Sequence, residues 1–189
     1  MKKIFKIGQM FEIPDDTKVS PFLNPLDSND KDLPPEILPG MSIAAGEISP
    51  KVQSKIHVHP LVSQVTWVIE GQLKVWMKGL KESAPYPLDL QAQQAVFTEP
   101  QTFFQLVNPS HSAPVRVLYL VSPAYVFEMK GGQVIYDDAI ILSQNWVELA
   151  KEKWNVSALD NLPDIARRRQ EAITRITTRN QASMEPRVE

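Results

Sequence analysis

The central part of the chain alternates apolar and polar residues with a period of two, which is typical of strands that bury one face. These short runs are separated by turn residues at close spacing. The pattern predicts about eight strands, a number typical of a β-sandwich or a β-barrel. The predicted strands are 41–48, 54–59, 63–70, 72–78, 86–91, 95–98, 102–107 and 115–121.

The pattern after these strands predicts a hairpin and then a helical region. Residues 125–129 and 133–136 flank Gly131-Gly132, a pair that is typical of hairpin turns. Beyond Asp137 the apolar residues recur with helical spacing.

One or two C-terminal helices are therefore expected. Ser143 is the expected N-cap of a helix that ends near Trp154. A second helix is expected to begin near Pro163 and to end near Thr178. Its arginine-rich face fits either a solvated surface or a docking surface. Residues 180–189 are polar and are expected to form a tail.

The N-terminal region has a different character. Residues 4–13 are typical of an edge strand, whereas six prolines between 14 and 40 exclude a long helix and a central strand. A structureless loop of this length is uncommon inside a compact domain. We expect an arm (1–40), a barrel (41–137) and a helical extension (138–189). The arm would wrap the barrel or a second subunit, and a homodimer is the simplest such assembly.

Composition narrows the functional classes. The chain has 189 residues, 43% of them hydrophobic, and a net charge of −2, so nucleic-acid and membrane partners are not expected. The absence of cysteine excludes disulfides, thiolate metal sites and a cysteine nucleophile. Polar residues interrupt the start before a signal segment can form, and no run approaches the roughly 18 apolar residues of a membrane span. A cytoplasmic protein is expected.

The most informative local feature is His57-Val58-His59, which contains two of the three histidines in the chain. On a strand, residues i and i+2 point to the same face. Imidazole is the commonest metal-ligand side chain, and Gln64 on the next strand could add a donor. The pair therefore predicts a metal site inside a barrel. A chance pair on an exposed strand face is the alternative.

The stretch that contains this pair resembles the first motif of the cupin superfamily, in which glycine, His-x-His, glutamate and glycine follow in order. Gly46, His57, His59, Gln64 and Gly71 match these positions, with Gln64 in place of the glutamate. Four residues separate His59 from Gln64, and six separate Gln64 from Gly71, as in the motif. The spacer after Gly46 is longer than usual.

A later stretch is similar to the second cupin motif. Pro100 is present, Thr102 stands in place of a glycine, Gln105 falls at the histidine position and Asn108 follows. The run 115–123 resembles the closing strand of such barrels.

The resemblance implies a mainly β protein, namely a double-stranded β-helix (jelly-roll) barrel of two packed sheets. It also implies a metal ion held by His57, His59, Gln64 and Gln105, where family members usually have three histidines and one glutamate. The metal would be a divalent transition metal such as iron, manganese, nickel or zinc.

Two glutamines change the expected chemistry of such a site. An amide oxygen supplies only a dipole, and it is a weaker donor than imidazole for first-row metals. A metal held in this way should bind weakly, act as a stronger Lewis acid and resist oxidation. This favours isomerase, tautomerase or lyase chemistry on a small polar or carboxylated metabolite over oxygenase chemistry. The alternative is a non-catalytic small-molecule-binding or structural cupin that has lost its metal.

Alternation along the strands suggests further pocket residues. Lys55 lies two residues before His57 and could act as a general base, or it could reach solvent at the strand mouth. Thr66 and Phe103 each lie two residues from a glutamine of the implied ligand set, so both are expected to line the pocket.

The sequence of the closing strand (115–121) does not decide which of its two faces points into the barrel. An inward Arg116 would favour an anionic substrate, whereas an inward Tyr119 would offer an acid or a hydrogen bond. His111 lies in a predicted turn and is expected to be exposed, unless its loop folds into the barrel mouth.

Overall fold

The computed structural model describes residues 4–27 and 40–184. The proline-rich stretch from 28 to 39 and residues 185–189 of the predicted tail lie outside the described residues, whereas residues 180–184 belong to the last helix, which ends at Met184 and not near Thr178 as expected. The strands are β1 (Phe11–Glu12), β2 (Lys18–Leu23), β3 (Ser42–Ile48), β4 (Ile56–Val58), β5 (Ser63–Glu70), β6 (Gln72–Lys78), β7 (Tyr86–Gln91), β8 (Ala95–Thr98), β9 (Phe103–Val107), β10 (Val115–Ser122), β11 (Phe127–Lys130), β12 (Gln133–Asp137) and β13 (Ile140–Ser143). The helices are α1 (Trp146–Lys151), a 3₁₀ turn (Ser157–Leu159) and α2 (Leu162–Met184).

Two antiparallel sheets form the barrel. One has the strand order β1-β2-β3-β10-β5-β8, and the other has the order β13-β4-β9-β6-β7. The core between them includes Val68, Val75, Phe104 and Val117, each at most 2% exposed. All eight predicted barrel strands occur within two residues of their expected ends. The prediction of a mainly β jelly-roll barrel is confirmed.

The described part of the arm packs against its own barrel. Of the expected edge strand 4–13, only Phe11–Glu12 is extended in a sheet, and Lys18–Leu23 forms a strand that pairs antiparallel with β3. β1 pairs only with the first two residues of β2. Further along, β2 is an edge strand, which is where a residue such as Pro21 is tolerated.

The C-terminal region departs from the expectation at its start. Ser143 belongs to β13, which pairs with β4, so strand structure continues beyond residue 137. The N-cap of α1 is Asn145, whose side chain accepts the backbone N–H of Val147. α2 begins where expected, with the Asn161 side chain accepting the Asp164 N–H at 3.1 Å. Among the described residues, no helix is long and apolar enough to cross a membrane.

The arginine-rich face of α2 docks on the barrel's own β11–β12 hairpin. Arg169 donates to Asp138 at 3.0 Å, and these side chains are 11% and 1% exposed. Arg175 and Arg179 both contact Glu128, which is 1% exposed. Next to these pairs, Ala172 and Ile176 of α2 pack in one buried cluster with Ala124, Val126 and Tyr136.

Loss of the Arg169 side chain should destabilise the fold. Arg169→Met leaves the buried Asp138 carboxylate without its charged partner, so we expect the free energy of unfolding to fall by about 3 kcal/mol. Arg167→Met is the matched control, because Arg167 forms only exposed ion pairs on the same helix and its loss should change little. Urea unfolding of the two variants checks this. Equal stability of both variants would contradict the docking role.

Candidate functional site

A cavity of about 140 Å³ lies between the two sheets and is closed on one side by the arm. Residues from both sheets contribute to its walls. Its polar lining residues are Asp15, Thr17, Asn24, Asp27, Ser42, His57, His59, Gln64, Tyr119, Tyr125 and Asp137.

The two histidines of the His-x-His pair both face this cavity. His57 and His59 are 5% and 4% exposed, and their ring centroids are 5.6 Å apart. The intervening Val58 points to the opposite face of β4, where it packs with Ile56 and Phe103. The strand alternation therefore brings the pair together inside the barrel, as the sequence indicated.

The hydrogen bond of His57 fixes its tautomer. Its Nδ1 lies 3.0 Å from the carbonyl oxygen of Lys55, which can only accept, so Nδ1 carries the hydrogen. In the neutral ring Nε2 is then the unprotonated nitrogen. The Asp15 carboxylate lies 3.9 Å from the same Nδ1.

The second imidazole has an unsatisfied polar atom. His59 Nδ1 is buried and makes no hydrogen bond with any described residue. Burial, and then the neighbouring His57, lower the pKa of His59 to about 3, so this ring is neutral at pH 7. Buried polar atoms without partners are rare, and one beside a cavity indicates a place where a ligand can bond.

Tyr119 faces the same cavity from β10, so the face of that strand that carries Tyr119, and not the face that carries Arg116, points inward. Its hydroxyl is buried and has no partner at good hydrogen-bond geometry among the described residues, although the nearby Thr17 side chain, whose hydroxyl donates to Asp15, acts to lower its pKa. Burial, and then the charge of Asp15, raise the pKa of Tyr119, so the phenol keeps its proton. Gly46 on the paired strand makes room for the ring, because a Cβ there would come within 2.8 Å of Tyr119 Cζ.

Gln64 reaches the cavity from β5, as expected. Its Nε2 donates to the Thr66 hydroxyl at 2.9 Å, and both side chains are at least 94% buried. Thr98, opposite Gln64 in the strand register, also has a buried hydroxyl without a described partner.

Gln105 does not join these residues, which corrects the ligand set implied by the resemblance. It lies on the other face of β9, where its Nε2 donates to Ser54 O at 2.7 Å and its Oε1 accepts from Trp146 Nε1 at 2.8 Å. Phe104 takes the inward position instead. It lies opposite His57 in the strand register, and the centroids of the two rings are 4.0 Å apart. A shift of one residue reverses the face of a strand side chain.

Four further predicted pocket residues do not line the cavity, and one of them, Thr66, is buried where it accepts a hydrogen bond from Gln64. Lys55 donates to Pro14 O and contacts Asp16 at 3.1 Å. Phe103 packs on the outer face of β9. Arg116 is exposed and pairs with Glu70 at 3.0 Å, so an anionic substrate loses its expected anchor.

His111 behaves as the turn composition predicted. It is exposed, in a loop between β9 and β10. It does not line the cavity beside the other two histidines.

Sequence reasoning missed three cavity residues from outside the predicted strands. Asp15 lies in the arm and accepts the Thr17 N–H and hydroxyl. Tyr125 donates a short hydrogen bond to Asp137, and its ring contacts His59 edge-on. Burial raises the pKa of Asp137, which the bond from Tyr125 opposes. No local pattern marks these residues, because only long-range folding brings them to the barrel.

The donor atoms around the cavity differ from the four-ligand metal site that the resemblance implies. In the described part of the chain, no group of three or more His, Cys, Asp or Glu residues is arranged to hold a metal ion. His57, His59 and Gln64 share the cavity, but Phe104 supplies no donor from β9. The residues present therefore do not fit the four-ligand site.

Comparison with known proteins identifies the fold through structure alone. No protein-family model matches the sequence, and no curated protein matches it. The structure is similar to the oxalate decarboxylase–formate complex of Lactobacillus farciminis (18% identity, 81% of this chain, 37% of that chain, TM-score 0.52). It is also similar to KdgF from Halomonas sp. (14% identity, 65% of this chain, 94% of that chain, TM-score 0.49). A third similar structure is the Drosophila melanogaster CENP-C cupin domain (9% identity, 60% of this chain, 70% of that chain, TM-score 0.48). Identities this low describe a shared fold.

The buried neutral His59 should make stability depend on pH. The unfolded chain takes up a proton near pH 6.5, whereas folded His59 does so only near pH 3, so acid stabilises the unfolded state between these values. Between about pH 7 and about pH 4.5, we expect the free energy of unfolding to fall by about 2 kcal/mol less in His59→Leu than in the wild type.

Urea unfolding at the two pH values measures this difference. The matched control is His111→Leu, which changes an exposed ring and should keep the wild-type pH dependence. If His59→Leu kept the wild-type pH dependence of the free energy of unfolding, the conclusion that His59 is buried as a neutral imidazole would be wrong.

Gly46→Ala should disturb the Tyr119 ring. The added methyl group would overlap Tyr119 and the Val117 side chain, so we expect a loss of about 1–3 kcal/mol in the free energy of unfolding. Gly40→Ala is the control, because a Cβ there would meet no atom of the described residues within 4 Å. Thermal or urea unfolding checks the pair, and equal losses would show that the Tyr119 packing is not the cause.

Proposed function

We propose that this chain, which has the double-stranded β-helix fold of the cupin superfamily, binds a small molecule in the cavity between its sheets. The carrying observation is the pair of buried, unpartnered polar atoms at that cavity, His59 Nδ1 and the Tyr119 hydroxyl. Small-molecule sites typically combine an apolar wall with a few such groups. A cavity of about 150 Å³ holds a molecule the size of benzene, so the space is sufficient.

The polar atoms have complementary roles toward such a molecule. The Tyr119 phenol, which keeps its proton, can donate to an oxygen or nitrogen of the ligand. The unprotonated Nε2 of His57 can accept a hydrogen bond from it. The same nitrogen could take a proton from a bound molecule, which is the step that an isomerase or lyase requires.

The apolar wall excludes water from these groups. Phe104, Leu106 and Val121 are at most 5% exposed and lie beside the histidines and Tyr119. Hydrogen bonds in such surroundings are electrostatically stronger than in water. A ligand that satisfies both unpartnered atoms would therefore remove a cost that the free protein bears.

A metal-dependent enzyme is the second candidate, and the tautomer of His57 favours it. Metal-binding histidines commonly donate their other N–H to a backbone carbonyl, as His57 does to Lys55. A divalent metal (iron, manganese, nickel or zinc) would then have two imidazoles and the neutral Gln64 amide as ligands. Such a set should bind weakly, and the chemistry would be of the Lewis-acid type.

Thermal unfolding and elemental analysis of the purified protein separate the two candidates. For small-molecule binding, we expect members of a panel of neutral and charged metabolites to raise the Tm of the wild type and of His111→Leu. The shift should be reduced at least several-fold in Tyr119→Phe and His59→Leu.

The metal candidate predicts a different result. It requires that the wild type binds metal after equilibration with the ion, that chelation lowers its Tm, and that His57→Leu binds no metal. That outcome would replace the proposal. A panel in which no compound discriminates between wild type and Tyr119→Phe would overturn it.

A further inference from the structure

We propose that the cavity selects a small organic cation, an alkylammonium compound with a polar substituent, over neutral and anionic molecules of the same shape. This inference rests on the proposed small-molecule binding and specifies its ligand class. It departs from the carboxylated metabolite expected from the sequence.

The charge of the cavity walls favours a cation. Three aspartates line the cavity, and the described lining residues include no lysine or arginine. Asp15 and Asp137 come from segments that are far apart in the sequence. Asp15 lies in the arm, and Asp137 is the last residue of β12. An anion would meet these carboxylates at close range in a partly dry site, where like charges are costly.

The basic side chains near the cavity are already engaged elsewhere. Lys55 is held by Pro14 O and Asp16, outside the cavity. Arg169 donates to Asp138 and to the carbonyl of Ala124, on the side of the hairpin that faces α2.

Hydrogen bonds within the walls hold the two carboxylates in position. Asp15 accepts the N–H and hydroxyl of Thr17, and Asp137 accepts the Ala139 N–H at 3.0 Å. The carboxylates are therefore positioned before a ligand arrives, and a cation meets them without rearrangement.

The aromatic rings in the cavity walls also favour a cation. Four rings line the cavity, those of Phe11, Tyr119, Tyr125 and Phe127. Aromatic faces attract ammonium groups, and the attraction reaches about 2 kcal/mol when the site is desolvated. Aromatic rings together with carboxylates favour an organic ammonium group over a strongly hydrated ion.

The unpartnered atoms supply an independent observation that a ligand is accommodated here. His59 Nδ1 and the Tyr119 hydroxyl are buried side-chain atoms of residues at most 8% exposed, and both residues line the cavity. They call for a hydrogen-bonding substituent on the ligand. An ammonium compound with a hydroxyl group satisfies the charge, the rings and these two atoms together.

Three probes of one shape isolate the effect of charge. Choline, 3,3-dimethylbutan-1-ol and 3,3-dimethylbutanoate differ in formal charge but have similar bulk. In titration calorimetry with the full chain, we expect choline to bind at least about tenfold more tightly than the alcohol, and the carboxylate to bind most weakly.

Variants assign that preference to the wall carboxylates. Asp137→Asn and Asp15→Asn should each reduce the choline-to-alcohol ratio several-fold while changing alcohol binding little. Asp164→Asn, which alters an acidic residue of α2 away from the cavity, should leave the ratio unchanged. Circular dichroism melting verifies that each variant is folded, and either aspartate variant suffices if the other is not.

Each outcome bears on one proposal. Equal binding of choline and the alcohol, with both lost in Tyr119→Phe, overturns cation selection and leaves small-molecule binding standing. Tightest binding of the carboxylate, or no binding of choline, also overturns it. A parallel titration with ZnCl₂ that shows tight binding competing with choline would reassign the negative walls to a metal ion.

Discussion

The period-two alternation of strand side chains decides which residues of this protein share one cavity. On β4, Ile56 and Val58 pack on the outer face with Phe103 and Leu149, so the alternate residues His57 and His59 face the barrel interior. The same alternation sends Phe104 inward and Gln105 outward on β9. The chemical character of the site, two imidazoles facing an aromatic ring rather than a ring of metal donors, follows from that register.

Desolvation gives the inward residues their properties. An imidazole and a phenol without partners each carry a cost of about 1–3 kcal/mol in a dry interior, and the apolar packing around them must offset it. Burial keeps His59 and Tyr119 neutral, while the nearby aspartates bring negative charge to the same space. A protein that keeps polar atoms in this condition maintains a site at the expense of stability, as is common where a ligand binds.

Local sequence patterns were sufficient for the strands, the barrel and the inward histidines. Gly71 and the Gly131-Gly132 pair have positive φ, as turn glycines do, so the strand ends could be found from composition. The phase of β9 could not, because Phe103, Phe104 and Leu106 bury both faces of that strand and leave no polar side to read.

The remaining differences arise from contacts that are distant in sequence. β13 forms because β4 offers it an edge more than eighty residues earlier in the chain, and this pairing takes Ser143 away from the expected cap. The cavity aspartates and Tyr125 come from segments before and after the eight predicted strands. The arm and the hairpin region together supply about half of the polar lining residues.

The pairing of β13 with β4 has a consequence for the order in which the chain assembles. β4, which carries the first histidine, is emerging from the ribosome long before its neighbour β13 exists, and it remains an unpaired edge until residue 143 has been made. The site is therefore completed only by the last third of the chain, which supplies Asp137 and the β13 residue Ile141 to the cavity wall. A fragment that ends at 137 would hold every barrel motif residue, yet it would present the histidine strand as an open edge for aggregation.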